Sequence, residues 1–223
     1  MDKIKKTDHF YLIDGSGYIF RAYYALPPLN RKSDGLPTGA VSGFCNMLFK
    51  LLEDSKSEKN LQKPTHFAVI FDSARKTFRN EIYSDYKANR SDPPDDLVPQ
   101  FDYIRKSVLA FNLPLVDLIN YEADDLIATY TEKVLEKGAK VTIVSSDKDL
   151  MQLYKKNVRI FDPMKSKFIT SEDIHNKFGV EPKKIIDVQS LAGDSSDNVP
   201  GVPGIGVKTA AELINKYGTL EKL

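Results

Sequence analysis

The sequence predicts an α/β protein built on a mostly parallel central sheet flanked by helices. Two observations carry this. Three short, largely apolar runs each end in an aspartate: Phe10 to Ile13 before Asp14, Phe67 to Phe71 before Asp72, and Val141 to Ser146 before Asp147. Such runs suit strands buried on both faces of a parallel sheet. Stretches with helical periodicity lie between them, at residues 40–52, 97–111 and 123–136. Strand alternating with helix places helices on both faces of the sheet.

Taken in order, the first strand runs into Gly15, Ser16, Gly17 and Tyr18, then Arg21, Tyr23 and Tyr24. The helix at 40–52 carries Cys45, the single cysteine, which reads as a small core residue and leaves no internal disulfide. After Asp72 the alternation breaks. Residues 74–96 are rich in charge and aromatics, end near Asp92, Pro93, Pro94 and Asp95, and read as an insertion above the sheet. On a helix, Arg79, Tyr83, Tyr86, Lys87 and Arg90 would share one face. Cations there would meet phosphates and tyrosines would stack on unpaired bases; an ordinary amphipathic helix with tyrosines inward fits the same spacing. The helix at 97–111 leads to a short strand at 113–116, and residues 158–161 and 168–169 read as an edge. From Ser171 the pattern turns helical. This gives an α/β core over residues 1–170 and a helical region over 171–223.

The 223 residues, 41% of them hydrophobic, suffice for a substantial core. The formal net charge is only +1, so total charge does not point to nucleic acid. Residues 1–9 lack the apolar segment of a secretory signal, and no run approaches the ~18 apolar residues of a membrane helix. A cytoplasmic protein is expected.

Ligands of open α/β sheets bind beyond the carboxyl ends of the strands, where Asp14, Asp72 and Asp147 fall. Further acids cluster at Glu122, Asp124 and Asp125, at Asp147 and Asp149, and at Asp194 and Asp197. Carboxylates converging on one pocket repel one another unless cations neutralise them. Mg²⁺ prefers oxygen ligands, and paired divalent ions suit phosphodiester hydrolysis. Each acid alone is equally explained as a helix N-terminal or turn residue. The coincidence of several at one sheet edge is not.

Residues 201–211 read as a tight glycine hairpin entering a helix, with Gly204, Gly206, Lys208 and Thr209 placed to meet a phosphate backbone. A Walker A loop is excluded because Val207 separates Gly206 from Lys208, and a dinucleotide fingerprint lacks its strand and third glycine. An ordinary turn between two helices remains the alternative. His9, His66 and His175 have no metal-ligand spacing.

The motifs containing Asp14 to Ser16, Phe71 and Asp72, Phe78 to Tyr83, Tyr86 to Arg90, Tyr121 to Asp125, Ser146 to Leu150 and Gly193 to Gly201 resemble the 5′-nuclease domains at the N-terminus of bacterial DNA polymerase I, within the flap endonuclease family. The resemblance runs from about residue 9 to the end. It implies a 5′-3′ exonuclease or 5′-flap endonuclease using two Mg²⁺ or Mn²⁺ ions, acting in primer removal and repair. It implies one metal site at Asp14, Asp72, Glu122, Asp124 and Asp125 and a second at Asp147, Asp149, Asp194 and Asp197. Asp14, Asp72, Asp124, Arg79 and Lys87 would be catalytic. Residues 74–96 would form a helical arch passing the single strand, with Arg21, Arg79, Tyr83, Tyr86, Lys87 and Arg90 on DNA. The hairpin would be a helix–hairpin–helix element, with K⁺ on its carbonyls. Expected partners are DNA with a 5′ flap, nick or free 5′ end and a covalently linked polymerase domain; a monomer without membrane contact is expected. The chain stops soon after the hairpin helix, where such domains continue, so a truncated nuclease domain without polymerase activity is expected. A non-cleaving DNA-binding module is the alternative, disfavoured because both acid sets are complete.

Overall fold

A computed structural model describes residues 3–56 and 63–223. Among the described residues six strands form one sheet: β1 (His9–Asp14), β2 (His66–Ile70), β3 (Leu115–Val116), β4 (Lys140–Val144), β5 (Val158–Asp162) and β6 (Lys167–Ile169). Their order is β3-β2-β1-β4-β5-β6; all pairings are parallel except β5 with β6. The helices are α1 (Gly15–Ala25), α2 (Gly39–Lys56), α3 (Phe78–Ile82), α4 (Gln100–Ala110), α5 (Ala123–Glu136), α6 (Ser171–Phe178), α7 (Ile185–Ala192) and α8 (Val207–Tyr217).

The period of two along β1 divides the core. Tyr11 and Ile13 pack with Phe44 of α2 and Ile104 of α4; Leu12 packs with Ile127 of α5 and, in the same cluster, Val188 of α7 and Ile214 of α8. The helical region after Ser171 therefore shares the core beneath the sheet. Cys45 is half-buried on α2 rather than fully in the core. Among the described residues no helix is long and apolar enough to cross a membrane.

Within the insertion, Arg79, Tyr83, Tyr86, Lys87 and Arg90 do not share the face of one helix. Helix covers only Phe78–Ile82, after which the chain turns, and Lys87 adopts φ 55, outside any α-helix. Turn-forming Ser84, Asp85 and Asn89 occupy this stretch, and tertiary hydrogen bonds replace the helical ones: Lys87 N donates to Asp197 O at 2.8 Å, and Asn89 Nδ2 to Ser195 O at 2.7 Å.

Strand order fixes where the site sits. From β1 the chain builds outward through β2 and β3, then returns to place β4 on the other side of β1. The crevice at such a reversal, beyond the carboxyl ends, is the binding position of open α/β sheets.

Candidate functional site

Asp14 ends β1 and caps α1, so the strand-to-helix turn holds its carboxylate at the reversal. Its Oδ1 accepts from Gly17 N at 2.9 Å and its Oδ2 from Ser145 Oγ at 2.8 Å. Glycine at 17 is required by this approach: a Cβ there would lie 2.6 Å from Asp14 Oδ2. Asp72, two residues past β2, has Oδ1 accepting from Ala123 N, the first residue of α5, at 2.7 Å. The next residue, Asp124, lies within electrostatic reach of Asp14, Asp147 and Asp72. Asp147 is tied to β4 through its own amide, which donates to Ser145 Oγ at 2.9 Å.

These four acids form an inner group with little compensating charge. Burial above all, then Asp72 and Asp147, pushes Asp14 up to about 6. Burial, then Asp14, Asp147 and Asp72, raises Asp124 well above the ordinary carboxylate range, against a lowering by Lys87. Asp149 is also raised, by burial first, while it accepts from Gln189 Nε2 at 2.6 Å.

The outer acids are neutralised by cations of the chain itself. Arg79 donates to both oxygens of Asp125 at 2.7 Å. Burial pushes Asp125 up, but Arg79 and the Glu122 amide outweigh it and hold Asp125 low. Lys87 Nζ donates to Glu122 Oε2 at 2.8 Å and lies 3.7 Å from Asp197. The Tyr86 hydroxyl is 3.1 Å from Glu122 Oε2 and 3.2 Å from Asp197 Oδ2, and Arg90 pairs with Asp197. Lys148 pairs with Asp194 at 2.5 Å, and this contact with Ser196 overcomes burial to bring Asp194 down to about 2.

The loop carrying Asp194 and Asp197 is closed by two glycines. Gly193 has φ 73, and a Cβ on it would stand 2.4 Å from Gly201 N. The bridge between Asp194 and Val199 narrows the loop further.

The remaining expected residues lie outside this network. Arg21 is exposed on α1, and Tyr83 follows the end of α3. Gly204 has φ 81, Gly206 caps α8, and Lys208 and Thr209 are exposed in its first turn. Helix N-terminal amides there suit phosphate. Sequence reasoning missed Ser145, Lys148 and Gln189. A serine pair ending a strand carries no ligand signal, and Gln189 lies on an otherwise ordinary helix.

Among the described residues, no three acidic, His or Cys side chains are already drawn into a metal-holding cage. Like charges keep such groups apart, and Mg²⁺ commonly binds with waters between it and some carboxylates. An all-oxygen donor set with uncompensated buried acids fits divalent cations of this hard kind.

Residues 9–179 match the family model of the 5′-3′ exonuclease N-terminal resolvase-like domain, and residues 180–223 that of the 5′-3′ exonuclease C-terminal SAM fold. The chain is 59% identical to DNA polymerase I of Rhizobium leguminosarum over 99% of its own length, spanning 22% of that protein. It is 45% identical to the 5′-3′ exonuclease of Aquifex aeolicus over 96% of its length and 71% of the relative's. The bacteriophage T5 flap endonuclease, solved with DNA and metal ions, shares the fold with a TM-score of 0.75 at 21% identity, covering 96% of this chain and 77% of that one. A six-stranded sheet with its acids at the reversal, matched along its length by both halves of one family description, belongs to the 5′-3′ exonuclease family, which includes the N-terminal part of bacterial DNA polymerase I.

Proposed function

We propose that this chain hydrolyses DNA phosphodiester bonds beside a free or flapped 5′ end, with two divalent cations. One observation carries the reading: Asp14, Asp72, Asp124 and Asp147 are brought within electrostatic reach of one another at the sheet reversal without matching positive charge. Asp14, Asp72, Glu122, Asp124 and Asp125 would hold one ion; Asp147, Asp149, Asp194 and Asp197 the other, partly through water. Divalent cations there would stabilise developing charge on the phosphate and ease deprotonation of an attacking water.

The chain's own cations have a second use. Arg79, Lys87 and Arg90 now neutralise outer carboxylates. With metal taking that role, they are free to meet the phosphates of a single strand, and Tyr86 to stack on a base. The hairpin amides, Lys208 and Thr209 would hold duplex by its backbone without reading sequence. In a cell the substrates would be primer ends and repair intermediates, and a linked polymerase domain would fill the gap left behind.

Cleavage of a 5′-labelled flap duplex, with Mg²⁺ and with chelator, tests this. Metal-dependent product near the junction, absent in Asp124→Ala, is expected. Flap DNA that is bound but left whole would point to a non-cleaving module.

A further inference from the structure

Ser145 is a buried hydroxyl, 2% exposed, lying between the two sides of the reversal. It immediately follows β4, whose partner β1 ends in Asp14. Its Oγ donates to Asp14 Oδ2 at 2.8 Å and accepts from Asp147 N at 2.9 Å. One oxygen thus ties an acid of the first set to the backbone that carries the second. Among the described residues, the other hydrogen bond to Asp14 comes from Gly17 N, on its other oxygen. Asp147 in turn accepts from Asp149 N at 2.8 Å, so orientation set at Ser145 passes along the β4 loop.

The geometry points to Ser145 as the positioning residue that sets the distance between the two acid sets and so couples the two metal positions. This rests on the metal-dependent reading above. A hydroxyl suits the place because it serves one donor and one acceptor at once. Alanine would leave Asp14 Oδ2 without its partner and cut the side-chain link between β1 and the β4 loop. Partners that orient metal ligands are typically worth about 10–100-fold in metal affinity or activity.

The test is calorimetric titration of Mn²⁺ into the DNA-free chain, alongside flap cleavage and thermal melting, for wild type, Ser145→Ala, Ser145→Cys and Ser145→Thr. Ser145→Ala is expected to melt cooperatively, bind Mn²⁺ about 10–100-fold more weakly and lose kcat with KM for DNA nearly unchanged. Ser145→Thr, which keeps the hydroxyl, should recover most of both. Should alanine not fold, Ser145→Cys, of similar size but a weak hydrogen-bonding group, reads the same loss. Unchanged Mn²⁺ affinity in the folded variant overturns the inference. So does a loss that merely tracks melting temperature and that threonine does not restore. A wild type that binds Mn²⁺ in a Ser145-dependent way yet cuts nothing would sink the nuclease reading and leave this one standing; a wild type that binds no Mn²⁺ would sink this one, and the nuclease reading with it only if flap DNA is also left uncut.

Discussion

At the residue scale the site is a store of unfavourable charge. Asp14 sits at about 6 in the folded chain against an ordinary value of 3.8, so folding binds its proton more tightly than the unfolded state does. Its contribution to stability is therefore fully present below about pH 4 and lost as pH rises through about 6. At about 1.36 kcal/mol per pH unit, the ionised carboxylate costs on the order of 3 kcal/mol at neutral pH. Asp14→Asn should melt higher than wild type at pH 7.5 in chelator, with the gain vanishing toward pH 4. Melting curves across that range check it, and a variant less stable at every pH would contradict it. The same substitution should abolish cleavage, a familiar conflict between stability and activity. Much of this was legible beforehand: Asp14, Asp72 and Asp147 each end an apolar run, and strand ends of a parallel sheet share an edge. The division into bare inner and paired outer acids was not, because it depends on where Arg79, Lys87 and Lys148 fold back to.

At the element scale, legibility followed the range of the forces involved. The three central strands and the helices at α2, α4 and α5 were readable because hydrophobic periodicity is local. The short strand β3 and the β5–β6 edge also appeared as short apolar runs. In the insertion, the shared helical face considered for Arg79, Tyr83, Tyr86, Lys87 and Arg90 is not formed, because helix stops at Ile82. Its residues have the spacing, yet contacts with the loop at 194–198 win over weak helical preference. That loop offers its own test. Its closure depends on backbone meeting backbone at Gly193 and Gly201. Gly193→Ala forces both a positive φ on a side-chain-bearing residue and a clash with the Gly201 amide. A loss on the order of 2 kcal/mol or more is expected, read by chemical denaturation, with weaker Mn²⁺ binding as Asp194 and Asp197 shift. Wild-type stability in this variant would show that the glycine contact is not needed.

At the scale of the whole molecule, sheet topology explains how acids far apart in sequence meet. The reversal between β1 and β4 gathers Asp14 from the first half and Asp147 from the second, while α5 presents Asp124 between them. It also explains a net charge of only +1 in a chain proposed to hold DNA. The acids are concentrated at one crevice and neutralised in part by cations that the substrate would engage. Total charge hid this because it records no positions. The central claim is that this crevice holds divalent cations between its two acid sets. An anomalous difference map from crystals soaked in Mn²⁺ tests it most directly. Two peaks are predicted, one among Asp14, Asp72 and Asp124 and one beside Asp147, Asp149, Asp194 and Asp197, both lost in Asp124→Ala combined with Asp147→Ala. Mn²⁺ found only elsewhere on the molecule, at concentrations that support cleavage, would contradict the account.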